Sequence, residues 1–276
     1  MRIIRECAVL LALVGALLLP GAPRMRAQDT QVYMPEQSEA KAKEVLAQAI
    51  QALGGSAYLN VQDSTCEGRL SSFGHSGDLA GFGTFTDFWK MPDKDRTEHS
   101  KKGNIVEVFN GKEGWVLDKG GVSDAPASAE ADFQGQLQRD LDHILRYRLK
   151  EEGMVFRYGG PDVVDLKEVD WVELTDRGGQ TLRIAIAKLT HLPVRKVAVL
   201  QDSTTQIRIE EIEYYSNYQT VQGIQTPFQM TRTRNDLKVF QVFFNTCKFN
   251  TGLQDSFFTK GSLEERASQV LKKKIL

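Results

Sequence analysis

Three carboxylates stand almost side by side in RIEEIEYY: Glu210, Glu211 and Glu213. On a strand, residues i and i+2 share a face, so Glu211 and Glu213 form a pair able to divide acid and base work while Glu210 points the other way. The ordinary setting of such a pair is a solvent-facing sheet surface, and that is the expectation here. A second cluster, Asp93, Asp95, Glu98 and His99 in PDKDRTEH, offers the oxygen and nitrogen donors that bind metals. Its composition reads as a solvated, charge-rich turn, and no metal is expected. His75, His99, His143 and His191 show no HxH or HExxH spacing. The sequence has no G-x-S-x-G elbow, and the Gly-x-Gly of GFGTFTDF leads into a strand, which brings no helix N-terminus to a phosphate. The chain therefore reads as non-enzymatic and without a cofactor.

Apolar binding is the other chemistry these residue types allow. Phe82, Phe85, Phe88, Trp89, Phe109, Trp115, Phe240, Phe243 and Phe244 supply large aromatic surfaces within strand-like runs. Phe82 and Phe88 share one face of their strand, and Phe85 and Trp89 the other, so this strand is covered on both sides. Any one of these rings is more simply explained as core. Some of them line a binding surface if a cavity exists. Phe133, Leu137, Leu141, Ile144, Leu145 and Leu149 keep helical spacing over residues 129–152, with Gly153 as the stop. The glycine- and alanine-rich stretch before this helix makes it the candidate lid, with Leu141 and Leu145 on its apolar face.

The elements that must position these residues are mostly strands. Residues 1–27 read as a signal peptide: Arg2 and Arg5 begin it, Ala8 to Leu19 is apolar, and Ala27 closes it. Its removal leaves 31 basic against 35 acidic residues, a net charge of −4, which is no footprint for nucleic acid. Cys66 and Cys247 remain, and after export they either pair or stay as buried thiols. Residues 28–40 read as a flexible leader and 41–276 as one domain. That domain opens with an amphipathic helix at 41–53, stopped by Gly54-Gly55, and closes with a helix at 262–275 capped by Ser262 with Glu265 at the capping-box spacing. Between them lie about ten strands, with hairpin signals at Asn110-Gly111 and Gly178-Gly179, a bulge expected near Glu210-Glu211, and a sheet corner at Gly223 and Pro227. With almost no βαβ alternation, the fold class is α+β, mainly β: a single curved antiparallel sheet with helices on its concave face.

Several stretches in order resemble the LolA-like superfamily of periplasmic lipoprotein carriers and lipid-binding relatives. They are the helix ending in LGG, FWKMPDKDRTE, FNGKEGW, LPVRKV, VQGIQTPFQM and NTGLQDSFFTKG. The resemblance implies an unclosed half-barrel in the periplasm, with helices lying as a lid over an apolar cavity. The partners it implies are lipid, the acyl chains of a lipidated protein, or another apolar ligand. It also implies a departure. Met91 stands before the Pro of the strand-turn, where the lipoprotein carrier has an Arg that closes and reopens the lid, so Met91 joins the candidate lining and another ligand is favoured. The alternative function is an envelope scaffold or sensing module that binds a protein partner. The expected state is a monomer.

Overall fold

The structure is a computed structural model that describes residues 33–99, 104–201 and 207–275, with side chains through 269. The signal segment and residues 28–32 lie outside the described residues. The helices are α1 (Pro35–Leu53), α2 (Ser56–Leu59), α3 (Ala127–Arg139), α4 (Leu141–Arg146) and α5 (Lys260–Ile275). A first run of strands comprises β1 (Asp63–Phe73), β2 (Leu79–Lys90), β3 (Lys94–His99), β4 (Ile105–Asn110), β5 (Glu113–Asp118) and β6 (Gly121–Asp124). A second comprises β7 (Val155–Val164), β8 (Lys167–Thr175), β9 (Thr181–Ala187), β10 (Pro193–Gln201), β11 (Arg208–Val221), β12 (Ile224–Arg234) and β13 (Leu237–Phe249).

All thirteen strands form one unclosed antiparallel sheet in the order β6-β5-β4-β3-β2-β1-β13-β12-β11-β10-β9-β8-β7. It consists of two meanders, each built from hairpins, joined where the first strand pairs with the last. Cys66 lies directly opposite Cys247 in that joint, with 4.1 Å between Cα atoms, and a disulfide links them. Closing a loop of this length restricts the unfolded chain, an effect worth about 2–5 kcal/mol.

The chain leaves the first meander at one edge of the sheet and enters the second at the other. The connection crosses one face, here called inner: Gln134 of α3 donates to the Gly111 carbonyl beyond β4, Arg139 reaches Glu211 of β11, and Arg148 reaches Asp176 beyond β8. α1 covers the β7–β9 part of the same face. Its Ala42, Val45, Leu46, Ala49 and Leu53 pack with Leu141, Ile144 and Leu145 of α4 on Val172, Leu174, Leu182, Ile184 and Ile186.

Several expectations need correction. The helix at 129–152 is two helices and a short 3₁₀ turn, because Asp140 takes an extended conformation (ψ 134°) and caps the second by accepting the His143 N–H at 2.8 Å. α1 begins inside the expected leader, since Pro35 suits a first helical turn, where no N–H is needed. The charged KDRTEH is strand β3 and not a turn: its side chains alternate between two covered faces. β6 is only four residues long and β7 carries Gly-Gly-Pro, so neither advertises itself as a strand. No bulge occurs at Glu210-Glu211, because the β10–β11 register runs unbroken through them. Ile212 faces outward because an outer-face cluster with Val169, Trp171, Ala185 and Val197 receives it.

Gly223 belongs to a two-residue hairpin turn with Gln222 (φ 82° and 51°), while Pro227 lies within β12. β12 pairs with β13 only from Gln229 onward, so Pro227 withholds no bond on that side. Not every helix is on the inner face. α5 lies on the outer face, where Phe257, Phe258 and Leu263 pack on Val106, Val108 and Leu117. Ser262 is inside α5, and Thr259 accepts its N–H, so Thr259 fills the capping role expected of Ser262.

Candidate functional site

Strand alternation sorts the aromatic residues onto two faces. On the inner face Trp89 pairs with Asp95, Asp95 with Phe109, and Phe109 with Gly114. One step along, Gly68 pairs with Phe85 and Phe85 with His99. Both phenylalanines lie over the cross-strand glycine. A Cβ on Gly114 would come within 2.8 Å of the Phe109 ring, and one on Gly68 within 3.0 Å of the Phe85 ring. The rings therefore lie low on the sheet as a floor. Phe133 of α3 stacks on Phe109 at 4.6 Å and 9°, and lies 6.0 Å from Trp89. The Trp89 indole N–H donates to the Met91 sulfur at 3.0 Å, and Phe244 meets Phe85 edge-on at 5.8 Å.

Two carboxyls interrupt this floor. Asp87 accepts from the Thr97 hydroxyl at 3.3 Å, and one oxygen of Asp95 is buried with no hydrogen-bond partner among the described residues. Burial raises both above the ordinary aspartate range, and the negative charge of Asp87 pushes Asp95 well above it. The pair thus favours holding a proton between its members, which suits an apolar surface better than two charges would. The four candidate metal donors are dispersed: Asp95 and His99 face inward, Glu98 faces outward to Arg96 at 2.8 Å and Arg266 at 3.2 Å, and Asp93 is in the turn before β3. Among the described residues no group of three His, Cys, Asp or Glu side chains is placed to hold a metal ion.

A polar partition separates this floor from the α1 core. Glu213 binds Lys196 at 2.6 Å and Arg232 at 2.5 Å and accepts from Tyr215, while Glu211 binds Arg234 at 2.9 Å and Arg139 at 3.4 Å. Gln136 of α3 joins through Arg232, and Lys196 donates to the Arg139 carbonyl. Glu211 and Glu213 do share a face, yet they are 2 % and 4 % exposed, so the expected solvent-facing surface is corrected to a buried one. The covering α3–α4 crossing is the reason. Burial alone would raise Glu213; the Lys196 and Arg232 charges outweigh it and hold it well below the usual glutamate range. Asp140, above this network, is pushed up to about 6 by burial and then by Asp142. Glu213 is thus locked between cations and serves as a structural anion.

The candidate lining residues are divided by the sheet. Phe85, Trp89, Met91 and Phe109 come together on the inner face. Phe88 and Trp115 lie on the outer face beneath α5, with Phe88 5.0 Å from Phe257. Phe82 (82 % exposed) and Phe243 point outward into solvent. Leu141 and Leu145 are core, packed against α1. Phe133, Phe244, Asp87 and Asp95 complete the inner surface. The signal for Asp87 was its phase, shared with Phe85 and Trp89 on β2.

No family profile matches the sequence, and no curated protein matches it. Solved structures do resemble the fold. A DUF1329 family protein from Desulfovibrio piger aligns with a TM-score of 0.58 at 17% identity, covering 80% of this chain and 98% of the other. A LolA superfamily protein from Nitrosomonas europaea aligns at 0.53 and 13% identity, covering 80% and 99%. A domain from Vibrio parahaemolyticus assigned to outer membrane lipoprotein sorting aligns at 0.53 and 12% identity, covering 84% and 100%. The chain has a LolA-like fold. No helix among the described residues is long and apolar enough to cross a membrane.

Proposed function

We propose that this chain is an exported binding or carrier protein that holds a lipid, the acyl chains of a lipidated protein, or another apolar ligand against the inner face of its first meander, in the periplasm and without covalent chemistry. One observation carries the reading: beside the buried Phe85, the Trp89 and Phe109 rings of the aromatic floor are only partly buried, and the side chain stacked on Phe109, Phe133, belongs to the connecting helix α3. Each methylene laid on such a floor contributes roughly 0.8 kcal/mol, so one or two chains give ample affinity. The second meander contributes little, because α1 and α4 already fill its inner face.

That filling also favours a second reading, a scaffold that binds a protein partner, since Leu182 and Ile184 leave no room for ligand beneath α1. Native mass spectrometry of the gently purified protein, followed by organic extraction, separates the two. Co-purifying lipid in about stoichiometric amount supports the carrier. A clean apo mass that also ignores added lipid sinks it in favour of the scaffold.

A further inference from the structure

Two leucines at one end of the sheet contribute to no core. Leu166, in the two-residue turn between β7 and β8, is 99 % exposed, and Leu189, in the turn between β9 and β10, is 94 % exposed. The register places them on adjacent tips: Val169 pairs with Ala187, and the Lys188 N–H donates to the Glu168 carbonyl at 2.9 Å, which continues the ladder toward Lys167 and Leu189. Val163, two residues before the first turn begins, is also exposed.

The backbone makes Leu166 harder to explain by folding. Its φ is 62° and that of Asp165 is 49°, the left-handed pair of a tight hairpin turn. Glycine and asparagine adopt this conformation readily, and a bulky side chain does so against a steric penalty. The comparable turns use Gln222-Gly223 and Asn235-Asp236. Leu166 thus strains the turn and gains no burial, a combination that points to use outside the fold.

We propose that these two hairpin tips insert into the surface of a lipid bilayer and seat the protein there. Area argues for lipid over a protein partner. Three aliphatic side chains at about 100 Å² each present roughly 300 Å², whereas a stable protein interface takes about 800 Å² from each partner. A bilayer needs no complementary surface; it needs only apolar side chains that project. The tips are also electrically balanced. Asp165 is bound by Arg195 at 3.1 Å, Lys188 lies 3.9 Å from Asp170, and Lys167 stands next to Glu168. Insertion is therefore driven by the leucines and not by anionic lipid. This inference does not rest on the inner-face site.

The test is co-flotation of the protein, expressed from its full-length gene and purified as the host processes it, with vesicles of pure phosphatidylcholine and of phosphatidylethanolamine with phosphatidylglycerol. The native protein should float with both, equally at low and at high salt. Leu166→Asn should weaken binding about tenfold or more, and Leu166→Asn with Leu189→Ser further. Asn is the better residue for this turn, so the melting temperature of Leu166→Asn should hold or rise, which separates lost insertion from lost folding. A native protein that stays with the unbound fraction overturns the proposal. So does undiminished flotation of the double variant, or flotation that salt abolishes. Flotation by a protein that carries no extractable lipid leaves the tips standing and sinks only the carrier reading.

Discussion

The two meanders of the sheet are built from the same hairpins, and their inner faces have been put to different use. On β8 and β9 the inner face is aliphatic and closed: Val172, Leu174, Leu182 and Ile184 lie under α1 and α4 and are essentially inaccessible. On β1–β5 the corresponding face carries aromatics laid over glycines, two carboxyls that favour a shared proton, and the single helix α3. Between them stands the Glu211–Glu213 partition. One half behaves as core, and the other as a surface covered in part by α3. Burial by α1 makes the difference, since apolar residues alone are present in both.

The largest effect is expected at the partition. Glu213→Gln should cost about 3–5 kcal/mol in denaturant unfolding at neutral pH, because Lys196 and Arg232 are left buried without their anion. Glu213 is held below its ordinary value of 4.5, so its contribution is full above that pH and lost as the pH falls through the lower folded value. The variant should therefore lose stability less steeply in acid than the native protein. A Gln variant as stable as the native protein would show that the partition does not hold the two halves together.

One paired substitution sharpens the contrast. Ile184→Ala should cost about 2–5 kcal/mol and leave binding of an apolar fluorescent probe unchanged. Phe109→Ala, at a half-buried ring, should cost about 1–2 kcal/mol, less than the loss for an enclosed phenylalanine, and abolish probe binding. The reverse pattern would exchange the roles assigned to the two halves. Replacing both Leu141 and Leu145 by Asp is no test of a lid, since these leucines are core and the variant would unfold.

The smallest effect is expected at the carboxyl pair. Asp95 is raised well above its ordinary 3.8, so its share of stability is fully present below that pH and is lost as the pH rises through the folded value. Asp95→Asn mimics the protonated form. Its melting temperature should match the native one in acid and exceed it at neutral pH. A lower melting temperature at neutral pH would mean that Asp95 is charged and paired in the folded protein.

Much of the fold was legible because its signals are local. The α1 face from Ala42 to Leu53, the hairpin at Asn110-Gly111 and the alternation of GFGTFTDFWK each follow from periods of 3.6 or 2 and from turn chemistry. β3 escaped because KDRTEH contains no apolar residue to alternate. The break at Asp140 escaped because the apolar spacing of Leu137, Leu141, Ile144 and Leu145 runs straight across it, while the cap is a single polar residue. The candidate site was half legible. The sequence placed Phe85 with Trp89 and against Phe88, but phase alone cannot say which face is inner.

From the sequence by itself follow the mainly β composition, the amphipathic first helix, the phase of the residues in GFGTFTDFWK and the sharing of one face by Glu211 and Glu213. Tertiary structure alone decided that β1 pairs with β13, that Cys66 therefore meets Cys247, that α3 and α4 cross the inner face, and that α5 covers the outer one. The physical reason is range. Periodicity and turn chemistry act over a few residues, whereas the joint of first and last strands links residues 181 positions apart and the crossing of the inner face rests on contacts 23 to 72 positions apart.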